Sequence, residues 1–535
     1  MKLLCRSRIL LGSWSGRLGL KFGQYYSLSV KNTPKNDRDI GPATRLPRIY
    51  SERKEMLDAG TLSSAYPSFK RPYEMTLIAQ VVRDYQEKSI FETKKVILGG
   101  RISAIREMSS SLTFADMYHD GYRIQLILNS KILDNYSDII YSLQRGDIVH
   151  AKGELTRTSS GELSVLAKTL LICAPCIRNV PALNAPQMTE EHRARWRHLD
   201  LIARPEQIEY YRKRSKIIRG MQRFLDDRGF LEVETPILSC KAGGALAKSF
   251  TTNLDNLSLP LNLRIAPELF LKQLIAGGFG KVYELGKVFR NEGLDATHNP
   301  EFTSLEFYQS FASAEDIKLV AMDLLRTMVM DTCGAEKIVY QGTCIDFSFP
   351  FQEVDIVTTL ERMLRIKFPL EDSASMIELC QGILKDNSIG YDESRCHVAY
   401  LFDKLIGHYL APLCIQPTFL VNHPLFMSPL ARPHSNNPHL SDRFELYVSE
   451  NELMNGYSEL NDPHDQSLRF REQAKLRRRG DHEAHEIDEE FIEVLEVGMP
   501  PTAGCGVGID RLVMLLTDQS HIRNVLLFPL MKPTN

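Results

Sequence analysis

No apolar run in this chain is long enough to span a bilayer, so the helical membrane classes drop out at once. Neither sign of charge is in excess. With 65 Lys and Arg against 67 Asp and Glu, the formal net charge is −2, and any contact with a polyanion must rest on local basic patches. A disulfide framework is also missing: ten cysteines scattered over 535 residues read as reduced intracellular thiols. Cys173 and Cys176 form a C-x-x-C, but no second pair stands at a suitable distance, and a closed zinc site needs four ligands. The glycine-rich stretch at Gly504–Gly508 is followed by no Gly-Lys-Ser/Thr, and its last glycine is misplaced for G-x-G-x-x-G. Kinase and dehydrogenase readings lose their main support.

What is present is a composition ordinary for folded domains, 43% hydrophobic and 25% charged, on a chain long enough for two or three of them. The first 36 residues stand apart. Lys2, Arg6, Arg8, Arg17, Lys21, Lys31 and Lys35 precede the first acidic residue, Asp37, which is the composition of a mitochondrial transit peptide over residues 1–40 and points to the matrix. The alternative is a basic arm that contacts RNA. A proline-dotted extension follows over 41–93 and is expected to be partly helical. Over 94–180 short β-rich runs appear (Val96–Leu98, Leu112–Phe114, Arg123–Leu128, Asp147–Val149, Leu163–Leu166), separated by turn signals at Gly99-Gly100, Asp120-Gly121, Arg145–Asp147 and Ser160–Glu162. Five short strands suggest a small oligonucleotide-binding barrel. A linker over 181–204 leads to a helical pattern from Pro205 to Arg228, stopped by Gly229. The rest, to 535, reads as one mixed α+β domain, with an insertion around 365–415.

Three segments of that domain carry chemistry. The helix ending near Gly229 runs into Phe230–Pro236 and reads as scaffold or dimer packing. Next, a strand bearing Arg290 and Glu292 on one face, a glycine-containing loop, and a strand bearing Phe302, Glu306 and Tyr308 would form a hairpin with its polar groups on one surface. That surface suits a nucleotide, because the forked cation of Arg290 can meet the negative charge that builds on a phosphorus under attack. Singly, each residue fits an exposed salt-bridged hairpin as well. Finally, Gly504–Gly508 feeds a helix that begins near Arg511: the glycines let backbone approach a ligand, and the planar cation can stack or touch phosphate.

In this order the segments resemble motifs one, two and three of the class II aminoacyl-tRNA synthetases. Arg264–Lys272, Phe289–Glu292, His298–Phe302 and Asn455–Asp462 are similar to the lysyl-tRNA synthetases among them, and the resemblance covers roughly residues 90 to 530. It implies an α+β architecture: an N-terminal five-stranded OB-fold barrel that binds the anticodon, then a class II synthetase domain whose antiparallel sheet is flanked by helices. It implies ATP, L-lysine and tRNA(Lys) as substrates, Mg2+ as cofactor, a homodimer, and no membrane.

The resemblance also assigns roles. Arg290 and Asn455 would hold the lysine carboxylate, and Glu268 with the backbone at Gly244 would meet the α-amino group; Glu306 belongs to the same lysine-binding set. Glu292 would read the adenine edge, Phe302 and Arg511 would sandwich the ring, and His298 would face the phosphates. Arg290, Glu292, His298 and Arg511 form the catalytic set. Glu445 and Glu452 match the family's magnesium carboxylates at the ATP site. In the side-chain pocket a substrate ammonium needs an anion and an acceptor, supplied by Glu459 and Tyr308, with Tyr457 along the methylenes. An aspartyl enzyme would need cations there, so Glu459 separates the lysine reading from the aspartyl and asparaginyl ones. In the barrel, Arg106, Phe114 and Gln125 match the anticodon readers. A non-catalytic RNA-binding protein on this scaffold would have lost Arg290, Glu292 or Arg511, and an enzyme that lysylates proteins would lack the barrel. The family's bacterial pattern is altered at Asn422–Met427, and Pro433 follows Arg432 where a second basic residue is common. Arg477–Arg479 suit either an acceptor-stem contact or a solvated helix face. His482 and His485, set among acids, read as surface residues.

Overall fold

A computed structural model describes residues 53–59, 66–67, 74–87, 94–184, 188–348 and 350–533; the transit segment expected over 1–40 lies outside them. The chain divides into two compact units, residues 1–63 with 177–179, and residues 64–176 with 180–535. In the first, residues 53–58 are helical. All that follows concerns the second.

Five strands close a barrel in the order β1-β2-β3-β5-β4: β1 Lys95–Ser109, β2 Leu112–His119, β3 Tyr122–Asn129, β4 Ile148–Arg157 and β5 Leu163–Ala174. Helix α1 (Ile78–Tyr85) puts Ile78 and Val81 into the barrel's core beside Leu98, Met117 and Leu126. One expected turn is not a turn. Gly99 and Gly100 lie inside β1, paired with His150 and Val149 of β4. The glycines are there for space: a Cβ at Gly100 would stand 2.7 Å from both the Tyr118 carbonyl oxygen and Met117 Cγ, which a tightly curved barrel wall does not allow.

Beyond the barrel, a turn at Pro205–Gln207 starts α2 (Ile208–Asp226), which buries Ile217, Met221, Phe224 and Leu225 and stops before Gly229 at φ +76°. Eight strands then build the central sheet. They are β6 Leu231–Glu232, β7 Lys281–Phe289, β8 Glu301–Ser310, β9 Gln352–Asp355, β10 Thr418–Val421, β11 Arg443–Val448, β12 Asn451–Ser458 and β13 Thr502–Gly508, in the order β9-β10-β11-β12-β13-β8-β7-β6. Every neighbouring pair is antiparallel except the two at the edges. Helices α3 (Glu268–Ala276), α4 (Ala314–Cys333) and α7 (Ile509–Leu516) complete the frame, with α4 opened by a reciprocal cap between Ser313 and Asp316.

Strand period fixes which residues face the site. Leu305 and Phe307 of β8, Ala503, Cys505 and Val507 of β13, and Phe444 and Leu446 of β11 join the core against α2, α4 and α7. Their alternates, Ser304, Glu306 and Tyr308, then Gly504 and Gly506, then Arg443 and Glu445, line a cleft on the opposite face. The insertion folds on its own core: α5 (Ser373–Asp386) and α6 (Val398–Leu405) bring Met376, Cys380, Leu401 and Phe402 together. Among the described residues no helix is long and apolar enough to cross a membrane.

Candidate active site

The cleft has a volume of about 410 Å³, and its lining includes Gly244, Glu268, Arg290, Glu292, His298, Phe302, Glu306, Tyr308, Glu445, Glu452, Asn455, Tyr457, Glu459 and Arg511. All fourteen residues expected around lysine and ATP therefore meet in one place. Arg290 and Glu292, expected on a strand, instead stand just past one. β7 ends at Phe289, and the Arg290 N–H makes a last bond to the Pro300 carbonyl (2.8 Å). Pro300 has no N–H to continue the ladder, so the chain leaves the sheet and frees both side chains for the cleft.

At the mouth, the Arg290 guanidinium lies 5.2 Å from the Phe302 ring centroid. Arg511 donates to the Glu452 carbonyl oxygen and to His298 Nε2, both at 2.9 Å. Because arginine only donates, His298 Nε2 accepts, which leaves Nδ1 to donate to Asp295 at 2.8 Å. Arg443 Nε donates to Asn455 Oδ1 (3.0 Å), which settles the amide's orientation and leaves its NH2 free to donate. At Gly244, φ is +87° and a Cβ would stand 2.9 Å from that of Glu268, so the loop backbone reaches the pocket only as glycine.

The floor is anionic. Glu268, Glu306 and Glu459 are all buried there. Tyr308 donates to Glu306 (3.0 Å) and Tyr457 to Glu268 (2.7 Å). Burial, followed by the charge of Glu268, pushes the Glu306 carboxyl up to about 8. Glu459 points inward and ion-pairs with Lys272, whose ammonium also lies 2.6 Å from Glu268. Burial opposes the charge on Lys272, but the two carboxylates overcome it and raise the ammonium above its usual range. Neither oxygen of Glu459 receives a well-formed hydrogen bond, and Oε1, unlike Oε2, is outside the ion pair as well.

Glu445 accepts from Arg443 (2.5 Å) and faces His423 (3.2 Å). Burial works against its charge, yet His423 and the Arg443 guanidinium hold the carboxyl below the ordinary range. Burial and then the charge of Glu445 drive Glu452 the other way, to about 7. A hard dication between them would relieve that repulsion, and two carboxylates suit Mg2+, which prefers to complete its shell with phosphate oxygens and water. Among the described residues no cluster of three or more His, Cys, Asp or Glu forms a metal cage. The donor set fits magnesium.

Several residues in the cleft or buried behind it had not been singled out. Lys272 sits one helical turn after Glu268, and Arg443 two residues before Glu445 on the same strand face, so spacing alone could have flagged both. His423 falls in the altered stretch after Thr418–Val421, where no spacing points to it. His485 corrects the surface expectation: it is 4% exposed, packs on Phe470 and borders the cleft, and burial, with Lys272 and Arg477 nearby, lowers it to about 4. Asp403 reaches the cleft from the insertion. Arg477, in the basic run, donates to the carbonyls of His482 and Ala484 and pairs with Glu486.

On the barrel, Arg106 stands directly across from Phe114, and Asp116 across from Gln125. Arg106 grips both oxygens of Asp116 (2.7 and 3.1 Å), and Arg123 adds a third bond (3.0 Å). Phe114 is partly exposed, whereas Gln125 is buried and accepts from Ser164 (3.0 Å). The three expected readers share one patch, and Asp116 at its centre is the addition.

Residues 189–532 match the family model described as tRNA synthetases class II (D, K and N), and residues 96–172 match that of the OB-fold nucleic acid binding domain. A lysine–tRNA ligase of Thermoanaerobacter sp. (strain X514) is 39% identical over 503 residues, 94% of this chain and 99% of that one. One of Pelotomaculum thermopropionicum is 41% identical over 445 residues, 83% and 87% of the two chains. A probable cytoplasmic lysine–tRNA ligase of Encephalitozoon cuniculi is 38% identical over 498 residues, 91% and 96%. Likeness of this extent, on a sheet that gathers the expected side chains into one cleft, makes the chain a member of the class II tRNA synthetases (D, K and N), within the lysine–tRNA ligases.

Proposed function

We infer that this synthetase activates L-lysine with ATP and transfers it to the 3′ end of tRNA(Lys). The observation that carries the choice of amino acid is the anionic floor, where a buried, inward-facing Glu459 keeps one oxygen without a donor. An ammonium entering the floor gains that partner, while a substrate without one leaves the anion unsatisfied, a difference that in such sites reaches about 10⁴-fold.

The residues then divide the work. Glu268 takes the α-ammonium, and Arg290 with the Asn455 amide takes the carboxylate and aims one of its oxygens at the α-phosphorus. That oxygen forms the new P–O bond as the bond to the β-phosphate breaks and pyrophosphate leaves. Arg290 opposes the charge that builds at phosphorus, with Glu292 at the adenine edge and Phe302 and Arg511 about the ring. The terminal ribose hydroxyl of tRNA next attacks the acyl carbon, and AMP departs with the electrons of its anhydride bond. Glu445 and Glu452 would hold Mg2+, whose chemistry here is charge neutralisation of the phosphates. No covalent enzyme intermediate is needed.

Pyrophosphate exchange with each of the twenty amino acids tests the reading. Stimulation by lysine is expected; stimulation by aspartate or asparagine alone refutes it. The basic, acid-free segment before Asp37 supports import into the mitochondrial matrix. A reporter carrying residues 1–40 should enter mitochondria, and a cytosolic reporter would remove that part of the proposal. Anticodon recognition is assigned to Arg106, Phe114 and Gln125, and a homodimer to the segment around α2.

A further inference from the structure

The floor already contains a cation before any substrate arrives. Lys272 lies one turn below Glu268 on α3 with its side chain entirely buried, and its ammonium bridges Glu268 Oε1 and Glu459 Oε2. Tyr457 and Phe491 present ring faces 5.5 and 5.9 Å from that nitrogen, so its remaining surroundings are aromatic and hold it in place. The second donor to Glu268, the Tyr457 hydroxyl, uses the same Oε1. Both protein donors to Glu268 thus share Oε1, while at Glu459 Lys272 meets Oε2 as an ion pair and Oε1 has no partner. Each carboxylate has one oxygen engaged by protein and one left over.

We propose that Lys272 is a positioning residue for amino-acid recognition: by sharing its ammonium between Glu268 and Glu459 it fixes both carboxylates and turns one oxygen of each toward the two ammonium groups of the substrate. The inference rests on the reading of this cleft as the lysine site. Lys272 also sets the charge of the floor. Three buried carboxyl groups, Glu268, Glu306 and Glu459, face Lys272 and Arg290, and Glu306 keeps its proton near neutral pH. The nearby Tyr308 and Tyr457 are neutral, and His485, lowered by burial and by Lys272, adds no charge. Without the internal cation Glu268 and Glu459 repel one another at close range, and at neutral pH one of them takes up a proton in addition to that on Glu306 and stops serving as a partner for ammonium. A carboxyl that must ionise before substrate binds makes affinity rise with pH.

Steady-state pyrophosphate exchange on the full chain carrying Lys272→Met or Lys272→Gln measures this. The KM for lysine should rise on the order of 100-fold, as expected when a buried ion pair loses one member. The KM for ATP should stay within about threefold, since the adenine and phosphate residues lie at the other end of the cleft. Between about pH 6 and pH 8.5, kcat/KM for lysine should climb with pH more steeply than in the parent enzyme. Lys272→Gln keeps a neutral donor in nearly the same volume, so it separates loss of charge from loss of packing if the methionine variant folds poorly; ATP binding by each variant reports the fold. A lysine KM near the parent value, an unchanged pH profile, or lysine and ATP constants that rise together would each overturn the proposal. If the parent enzyme shows no lysine-dependent exchange, the functional reading fails instead.

Discussion

A Cβ at Gly504 would run into the Tyr308 ring and stand 2.8 Å from Glu459 Oε1, the acceptor left open for substrate. The glycine is therefore required by the closeness of the β13 backbone to two pocket side chains. Neither neighbour can yield cheaply, because Tyr308 and Glu459 are 3% and 2% exposed and packed on their other sides. Gly504→Ala should fold, with a stability loss of about 1–3 kcal/mol measurable by thermal denaturation. Its KM for lysine should rise by roughly 100-fold, the scale expected when binding groups shift by about 1 Å. A variant with the parent's lysine KM would mean that the side chain of the substrate does not extend past β13. The same crowding explains the high value of the neighbouring Glu306 carboxyl: burial first, then the charge of Glu268, keeps its proton on near neutral pH.

At the scale of elements, the barrel patch formed by β1, β2 and β3 carries the next expectation. Phe114 offers a partly exposed ring beside Arg106, and the Asp116 carboxylate holds Arg106 and Arg123 in fixed positions. Phe114→Ala should raise the KM for tRNA by about tenfold or more, since a stacked base is worth roughly 1–3 kcal/mol, with pyrophosphate exchange as the tRNA-free reference. Equal effects on charging and exchange would place the defect outside anticodon binding. The elements themselves were legible to different degrees, for physical reasons. Strand alternation showed the five barrel strands, and the glycine-rich strand feeding a helix was clear because its chemistry is local. Gly99-Gly100 misled, because a glycine needed for close packing between strands looks the same in sequence as one needed for a turn. Arg290 and Glu292 were found as residues but placed on a strand, since the strand's end depends on the partner Pro300. The spacing of Lys272 from Glu268 was legible, but its second partner, Glu459, comes from a distant part of the chain, and only the fold brings them together.

For the molecule as a whole, the apolar surface bears on its assembly. Among the described residues, Leu231, Ile237, Leu238, Leu246, Leu254 and Leu257 are exposed, all within one stretch that follows α2. Single exposed apolar residues are unremarkable, but six in so short a segment are costly unless something covers them. Part of this stretch forms a small sheet, with Leu238–Ser239 and Thr251–Leu254 flanking Leu259–Leu263, so the exposure belongs to ordered backbone. A second copy of the chain is the simplest cover, because one patch then meets its own equivalent about a twofold axis. Light scattering should give twice the 60.9 kDa chain mass at micromolar concentration. Replacing Leu238 and Leu257 together by Asp should shift it to the single-chain mass, because buried charge without a partner opposes association. Activity should fall along with the dimer, since Gly244 and the loop that carries it lie between these same residues and border the lysine pocket. A parent chain that remains monomeric across that concentration range would leave the patch to a different partner.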